Sequence, residues 1–177
     1  LIANPGCYAI ASILALKPLA DKQIIDHVVI DAKSGVSGAG KKTDNNFSYC
    51  EVNEHLKAYG TNTHRHMAEC YQLCGDISLV FSPHLVPMSR GILASCYITL
   101  KSSISQDSLD ELYQQLYQDQ PFIVLNKSSE TPSTQQVVGS NNCAITCKIL
   151  GDKQVVIFSA IDNLIKGAAG NAIQNMN

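Results

Sequence analysis

The stretch AITCKILGDKQVVIFSAI, residues Ala144 to Ile161, decides the fold class. Two runs rich in β-branched and apolar residues, Ala144 to Ile149 and Gln154 to Ile161, flank Leu150-Gly151-Asp152-Lys153, and each reads as a strand. Working back along the chain, Phe122 to Leu125, Gly91 to Leu100, Ile77 to Ser82 and His27 to Ala32 read the same way. Between them lie helical patterns. Leu109, Leu112, Tyr113 and Leu116 recur at helical spacing within Ser105 to Asp119. His64 to Cys74 ends at Gly75, Cys7 to Leu19 follows a Pro5-Gly6 turn, and Asn163 to Asn175 closes the chain as one helix. Several strands in succession near the end, rather than strict alternation, predict an α+β domain with helices on one face of a sheet. Ser128 to Gln136 reads as a solvated loop.

Composition narrows the function classes. With 177 residues the chain suits one domain with a real core. Its 16% of charged residues is low, which hints that part of the surface is normally covered. The net charge is -2 and no basic block exists, so nucleic acid is not an expected partner. The longest apolar stretch, Tyr8 to Leu16, is too short for a membrane span, which takes about 20 residues. Seven scattered cysteines predict a reduced, cytoplasmic protein with buried thiols. The opening Leu1-Ile2-Ala3-Asn4, without Met, reads as a strand entered halfway and predicts a piece of a longer protein.

Asn4-Pro5-Gly6-Cys7-Tyr8-Ala9 sets a thiol at the start of a helix. Free N–H groups and the helix dipole there stabilise an anion, so the Cys7 pKa is expected below that of a free thiol. The same amides suit the oxyanion of a tetrahedral intermediate. His64-Arg65-His66 is followed by Glu69, three residues on, where a carboxylate on the same helical face could orient the His66 ring. A histidine beside a cysteine is the usual acid/base partner in thiol catalysis. His66, Cys70 and Cys74 also share helical spacing, but Cys-x-x-x-Cys is not the two-residue zinc knuckle, and no metal is expected.

Ser34 to Lys42 reads as a Gly/Ser-rich loop; within it Ser34-Gly35-Val36-Ser37-Gly38-Ala39-Gly40 follows a strand, but Lys41 to Asn46 behind it is polar, whereas a dinucleotide fingerprint opens an apolar helix. Free amides and hydroxyls flanked by lysines instead suit a phosphate or carboxylate of a substrate. Arg90, between two strands, has the fork to clamp such an anion. His84 reads as a core histidine. The closing helix carries Gly167 and Gly170, each unfavourable by about 1 kcal/mol against alanine, which implies close packing of a cofactor, another domain or this domain's own sheet.

Five collinear motifs, NPGCYA at Cys7, SGVSGAG at Ser34 to Gly40, HRHxxE at His64 to Glu69, PHLVPMSRG at Pro83 to Gly91 and DNLIKGAAGNAIQNMN at Asp162 to Asn177, resemble N-acetyl-gamma-glutamyl-phosphate reductases. The resemblance spans almost the whole chain. It implies a mixed, largely antiparallel sheet like the C-terminal domain of glyceraldehyde-3-phosphate dehydrogenase, with residues 1–177 as the catalytic and substrate-binding domain. It also implies NADPH-dependent reduction of an acyl phosphate in arginine biosynthesis, through a Cys7 thioester, with His64 or His66 as acid/base and Glu69 in support. Ser34, Gly35, Ser37, Gly38, Arg65 and Arg90 become substrate-binding candidates. Asn163, Lys166, Gly167, Gly170 and Asn171 become cofactor-facing candidates, and the protein is expected to be a homo-oligomer. The family usually has Thr at Ile10, Thr-Pro at Met67-Ala68 and Gln at Asn171. Its amino-terminal Rossmann domain, which binds most of NADP(H), is not in this sequence, so the fragment is expected to be inactive alone and to expose a glycine-lined patch at Gly167, Ala168 and Gly170. A nucleotide-free cysteine hydrolase or acyltransferase, and a non-catalytic dimerisation domain, are the competing readings.

Overall fold

The computed structural model describes residues 3–39, 49–75 and 77–177. Gly40 to Lys42 of the glycine-rich segment lie outside them. The centre of the fold is helix α1, Cys7–Asp21, in which eleven of fifteen residues are buried. A helix apolar on all sides must be enclosed on all sides. The sheet closes one flank, through contacts with β1 (Ile25–Ser34), β4 (Ile92–Leu100) and β7 (Gln154–Ile161). Helices α3 (Met67–Cys74) and α4 (Gln106–Tyr117) close others. Pro18 lies inside α1 and lacks the N–H that would bond Leu14 C=O. The Tyr117 hydroxyl donates to that carbonyl at 2.7 Å, and the Tyr113 hydroxyl donates to Ala15 C=O beside it.

Seven strands form one sheet in the order β2-β3-β1-β4-β7-β6-β5, with β2 at Lys57–Ala58, β3 at Ser78–Leu85, β5 at Ile123–Leu125 and β6 at Cys143–Ile149. Pairs β1/β3 and β5/β6 are parallel and the other four are antiparallel. The sheet is therefore mixed and largely antiparallel, and the expected fold class stands. On β4, Ile92, Ala94, Cys96, Ile98 and Leu100 enter the core under α1, while on the other face Tyr97 is 45% exposed and Ser95 is buried. Among the described residues, Val29, Asp31, Val80 and Ser82 on that second face are only partly buried.

Four local expectations change. The segment taken as a solvated loop holds the short helix α5, Thr134–Val137; its Val137 packs with Ala144, Ala160 and Leu93 on the second face, so helices are not confined to one side. The stretch from Ser34 is no loose loop: Ser34 ends β1, and Val36–Ala39 forms a 3-10 turn. Helix α3 begins at Met67, leaving His64 to His66 in the turn before it, and ends as expected at Gly75, whose φ of +79° suits glycine. The closing helix is two pieces, a π-turn Ile165–Ala169 and α6, Gly170–Met176. Buried Asp162 forces this, because its Oδ1 accepts from Leu164 N–H (2.8 Å) and Ile165 N–H (3.1 Å), while its own C=O takes the N–H of Gly167, five residues on. The short helix α2, Tyr49–Val52, completes the described elements.

Candidate active site

Cys7 begins α1 behind Gly6, which is extended (φ -70°, ψ 153°). Two neighbours fix the turn. The Gly6 N–H donates to Glu69 Oε2 at 2.9 Å, and the His66 ring lies over Gly6, so close that a Cβ there would stand 2.1 Å from Nε2. From the other side Gly167 meets the nucleophile candidate: a Cβ at 167 would fall 2.6 Å from Cys7 Cβ. Both glycines are required by contact rather than by backbone conformation.

A cavity of about 220 Å³ opens over Cys7. His64, Arg65 and His66 line it from the turn before α3, and Ser34, Gly35 and Gly38 line it from the end of β1. Seven predicted site residues thus meet in one place. Tyr8, Tyr59 and Leu85 complete the wall. The sequence reading passed over Tyr59, whose hydroxyl donates to Tyr8 Oη at 3.0 Å; a Tyr-Gly pair five residues before His64 was its only signal. The Tyr8 hydroxyl donates onward to His84 C=O. His64 packs edge-on against Tyr8, Tyr59 and Phe81, and its Nδ1 accepts from the His66 N–H at 3.2 Å, which leaves the proton of the neutral ring on Nε2.

Burial holds both histidines down to about 4; the neighbouring His66 and Arg65 charges add to this for His64, and Arg65 for His66. Both rings are therefore neutral at pH 7. Burial also pushes the Cys7 thiol up from its ordinary value, against the Tyr8 and Cys7 N–H groups and the Arg65 charge, which lower it. The expected low thiol pKa is thus corrected: in this chain, loss of water outweighs the helix start. The expected Glu69–His66 pairing is corrected as well. The carboxylate is taken by Gly6, and buried His66 Nδ1 has no hydrogen-bond partner.

The remaining candidates lie elsewhere. Ser37 Oγ accepts from Asn163 Nδ2, and Arg90 Nη1 faces Asp162 Oδ2 at 3.4 Å, away from the Cys7 cavity. Asn163 Oδ1 accepts from the Gly91 N–H at 2.7 Å. Lys166 is buried and donates to Gln174, Gly170 packs on Asn141 and Ile165, and Asn171 donates to Asn4 Oδ1. The cofactor-facing candidates are thus engaged within the domain. Gly167 is buried and so belongs to no exposed patch, while Gly170 and Asn171 are only partly buried. His84 is half-buried on the second face, with Nδ1 3.2 Å from both Ser82 C=O and Asp31 Oδ1. Cys70 and Cys74 are buried in the core.

A family model described as semialdehyde dehydrogenase, dimerisation domain, matches residues 7–163. N-acetyl-gamma-glutamyl-phosphate reductases from Caldicellulosiruptor saccharolyticus and Campylobacter jejuni subsp. doylei are 46% and 49% identical to the chain. Each alignment covers 100% of the chain and 54% of the relative, so the chain spans about half the length of these curated relatives. Among solved structures, aspartate semialdehyde dehydrogenase II from Vibrio cholerae superposes with a TM-score of 0.75 at 20% identity, over 98% of this chain and 60% of that one. Aspartate semialdehyde dehydrogenase from Francisella tularensis gives 0.72 at 14% identity, over 97% and 63%. At such identities the likeness concerns the fold.

Proposed function

The chain belongs to the semialdehyde dehydrogenase dimerisation-domain family, and from that premise we propose that the complete protein reduces N-acetyl-gamma-glutamyl phosphate to its semialdehyde, releasing phosphate, as a step in arginine biosynthesis. The observation that carries this reading is the shared cavity of Cys7, His64, Arg65 and His66 at the start of α1. Cys7 Sγ attacks the γ-carbonyl carbon while a neutral histidine takes the thiol proton. His66 is assigned that role because its ring lies against Gly6, the residue before the nucleophile. The N–H groups at the helix start receive the oxyanion. Its collapse breaks the bond to the phosphate oxygen and leaves a thioester on Cys7. Arg65 and the backbone of Ser34 to Gly38 hold the anionic ends of the substrate. NADPH, when bound, supplies the hydride that reduces the acyl carbon. We assign most of its binding to the half of the protein outside this chain, which spans about half the length of its curated relatives.

The second sheet face, with Tyr97 exposed and Val29 and Val80 half-buried among the described residues, supports a homo-oligomeric assembly. Among the described residues no helix is long and apolar enough to cross a membrane. Seven unpaired cysteines fit a reducing cytoplasm. The test is oxidation of NADPH by the complete protein, dependent on the acyl phosphate. Cys7→Ser should abolish it while preserving the melting temperature. Full activity in Cys7→Ser, or turnover of the acyl phosphate that needs no nucleotide, would overturn the proposal.

A further inference from the structure

Away from the Cys7 cavity, Lys166 is the only buried lysine or arginine among the described residues, at 4% exposure. An ammonium has three N–H donors. One goes to Gln174 Oε1 at 2.8 Å, an oxygen that also accepts from Asn141. The Phe122 ring centroid lies 5.4 Å from Nζ, within cation–π range. No carboxylate pairs with Lys166 among the described residues. The nearest buried acid in sequence, Asp162, already serves Leu164, Ile165, Gly139 and Arg90. Burial pushes the Lys166 ammonium down from its ordinary value, and the Cys143 thiol, the other group that acts on it, is itself pushed up to about 11 by burial and stays protonated. A buried charge without a counter-ion is unfavourable and calls for a partner.

Space for that partner lies beside it. A cavity of about 290 Å³ is bordered by Lys166 and Gln174 and walled by Ile13, Leu14, Phe122 and Ile123. A second ammonium, Lys17, lines it too, paired with Asp21. The volume is at the lower end for small-molecule sites, and the lining, mostly apolar with Lys166 as the cation that no carboxylate pairs among the described residues, follows the usual pattern of such sites. We propose that this cavity binds a small monocarboxylate with a short apolar body, its carboxylate on Lys166 and its body on Ile13, Leu14 and Phe122. One buried ammonium beside a neutral amide matches one negative charge better than a doubly charged phosphate.

Hexanoate and 1-hexanol, titrated into the complete protein at pH 7, test this with one apolar body and two head groups. Hexanoate should bind with a Kd on the order of a millimolar, at least tenfold tighter than hexanol, and weaken as salt rises. Lys166→Gln should erase the preference for the acid. Gln174→Ala, which removes the neutral competitor for the ammonium, should tighten hexanoate binding and guards against a Lys166 variant that fails to fold. Equal affinity for acid and alcohol, a preference that survives in Lys166→Gln, or no saturable binding because another part of the protein fills the cavity would each overturn the proposal.

Discussion

Replacing Gly167 with alanine should separate the geometry of the nucleophile from the stability of the fold. The new Cβ would lie 2.6 Å from Cys7 Cβ and 3.2 Å from Cys7 Cα. Carbon atoms pack at about 3.5–4.0 Å, so the two residues must part by roughly 1 Å. Cys7 Cβ is one bond from the backbone and cannot rotate away, and α1 is enclosed along its length. Overpacking of this kind costs about 1–3 kcal/mol. Alanine in a helical turn returns up to about 1 kcal/mol through propensity. The net loss of stability is then about 0–2 kcal/mol. Function is more exposed, because a 1 Å misplacement of a reacting group lowers the rate by about 100-fold, some 2.7 kcal/mol of barrier. The paired assay is thermal melting beside turnover of the complete protein, with iodoacetamide alkylation of Cys7 read by mass spectrometry. A nearly unchanged melt with a large fall in turnover is the expected result. A variant that melts higher and keeps its alkylation and turnover within about twofold would show that Gly167 does not set the position of Cys7.

Glu69→Ala should destabilise by about 1–2 kcal/mol, because the half-buried Gly6 N–H loses its acceptor. By NMR it should also move the His64 titration further down and leave that of His66 in place, since the Glu69 charge acts on His64. Asp162→Ala should cost about 3–5 kcal/mol in urea melts, because it strips acceptors from three backbone N–H groups. Between pH 6.5 and 4 the unfolded chain binds protons at His64 and His66 that the folded chain, with both at about 4, does not. Stability from this source is complete above pH 6.5 and should fall on acidification by on the order of 2–4 kcal/mol, less than the roughly 7 kcal/mol of two unscreened shifts because solvent screens the partly exposed His64 ring. His66→Gln should remove about half of that slope, and an identical slope in the variant would refute the assignment.

Strand β3 was legible because it buries mainly one face, which writes a period of two into the sequence, β6 and β7, buried on both faces, because they are continuous runs of β-branched and apolar residues, and α4 because its apolar stripe repeats at helical spacing. The π-turn was not legible. Its origin is a side-chain choice, Asp162 bonding to Leu164 and Ile165, and local spacing does not report where a buried carboxylate points. Glu69 illustrates the same limit. Its three-residue offset from His66 suggested a pair on one helix, yet His66 stands before the helix and the carboxylate finds Gly6, 63 residues away. Gly167 and Gly170 signalled close packing correctly, but not with what: the contacts are Cys7, Asn141 and Ile165 of the same domain.

Cys7 shows how a local rule and a tertiary effect decide a protonation state. The helix start, two N–H groups and Arg65 favour the thiolate, while burial opposes it and prevails. His66 shifts in the complementary sense, down to about 4. At pH 7 the pair is therefore a neutral thiol beside a neutral imidazole, not a thiolate–imidazolium pair, and in the proposed reaction the proton moves as the sulfur attacks. The two states give different alkylation profiles. A thiolate–imidazolium pair reacts at a rate that is level across neutral pH, because the thiolate is already formed. A neutral pair reacts at a rate that climbs about tenfold per pH unit through pH 7 and 8, following the thiolate fraction. Removing the Arg65 charge in Arg65→Ala should raise the Cys7 pKa further and slow alkylation at pH 8 by a few-fold, while exposed Cys50 keeps its rate as the internal standard. A level profile below pH 7, or an Arg65→Ala variant that alkylates faster at Cys7, would mean that the helix start outweighs burial after all.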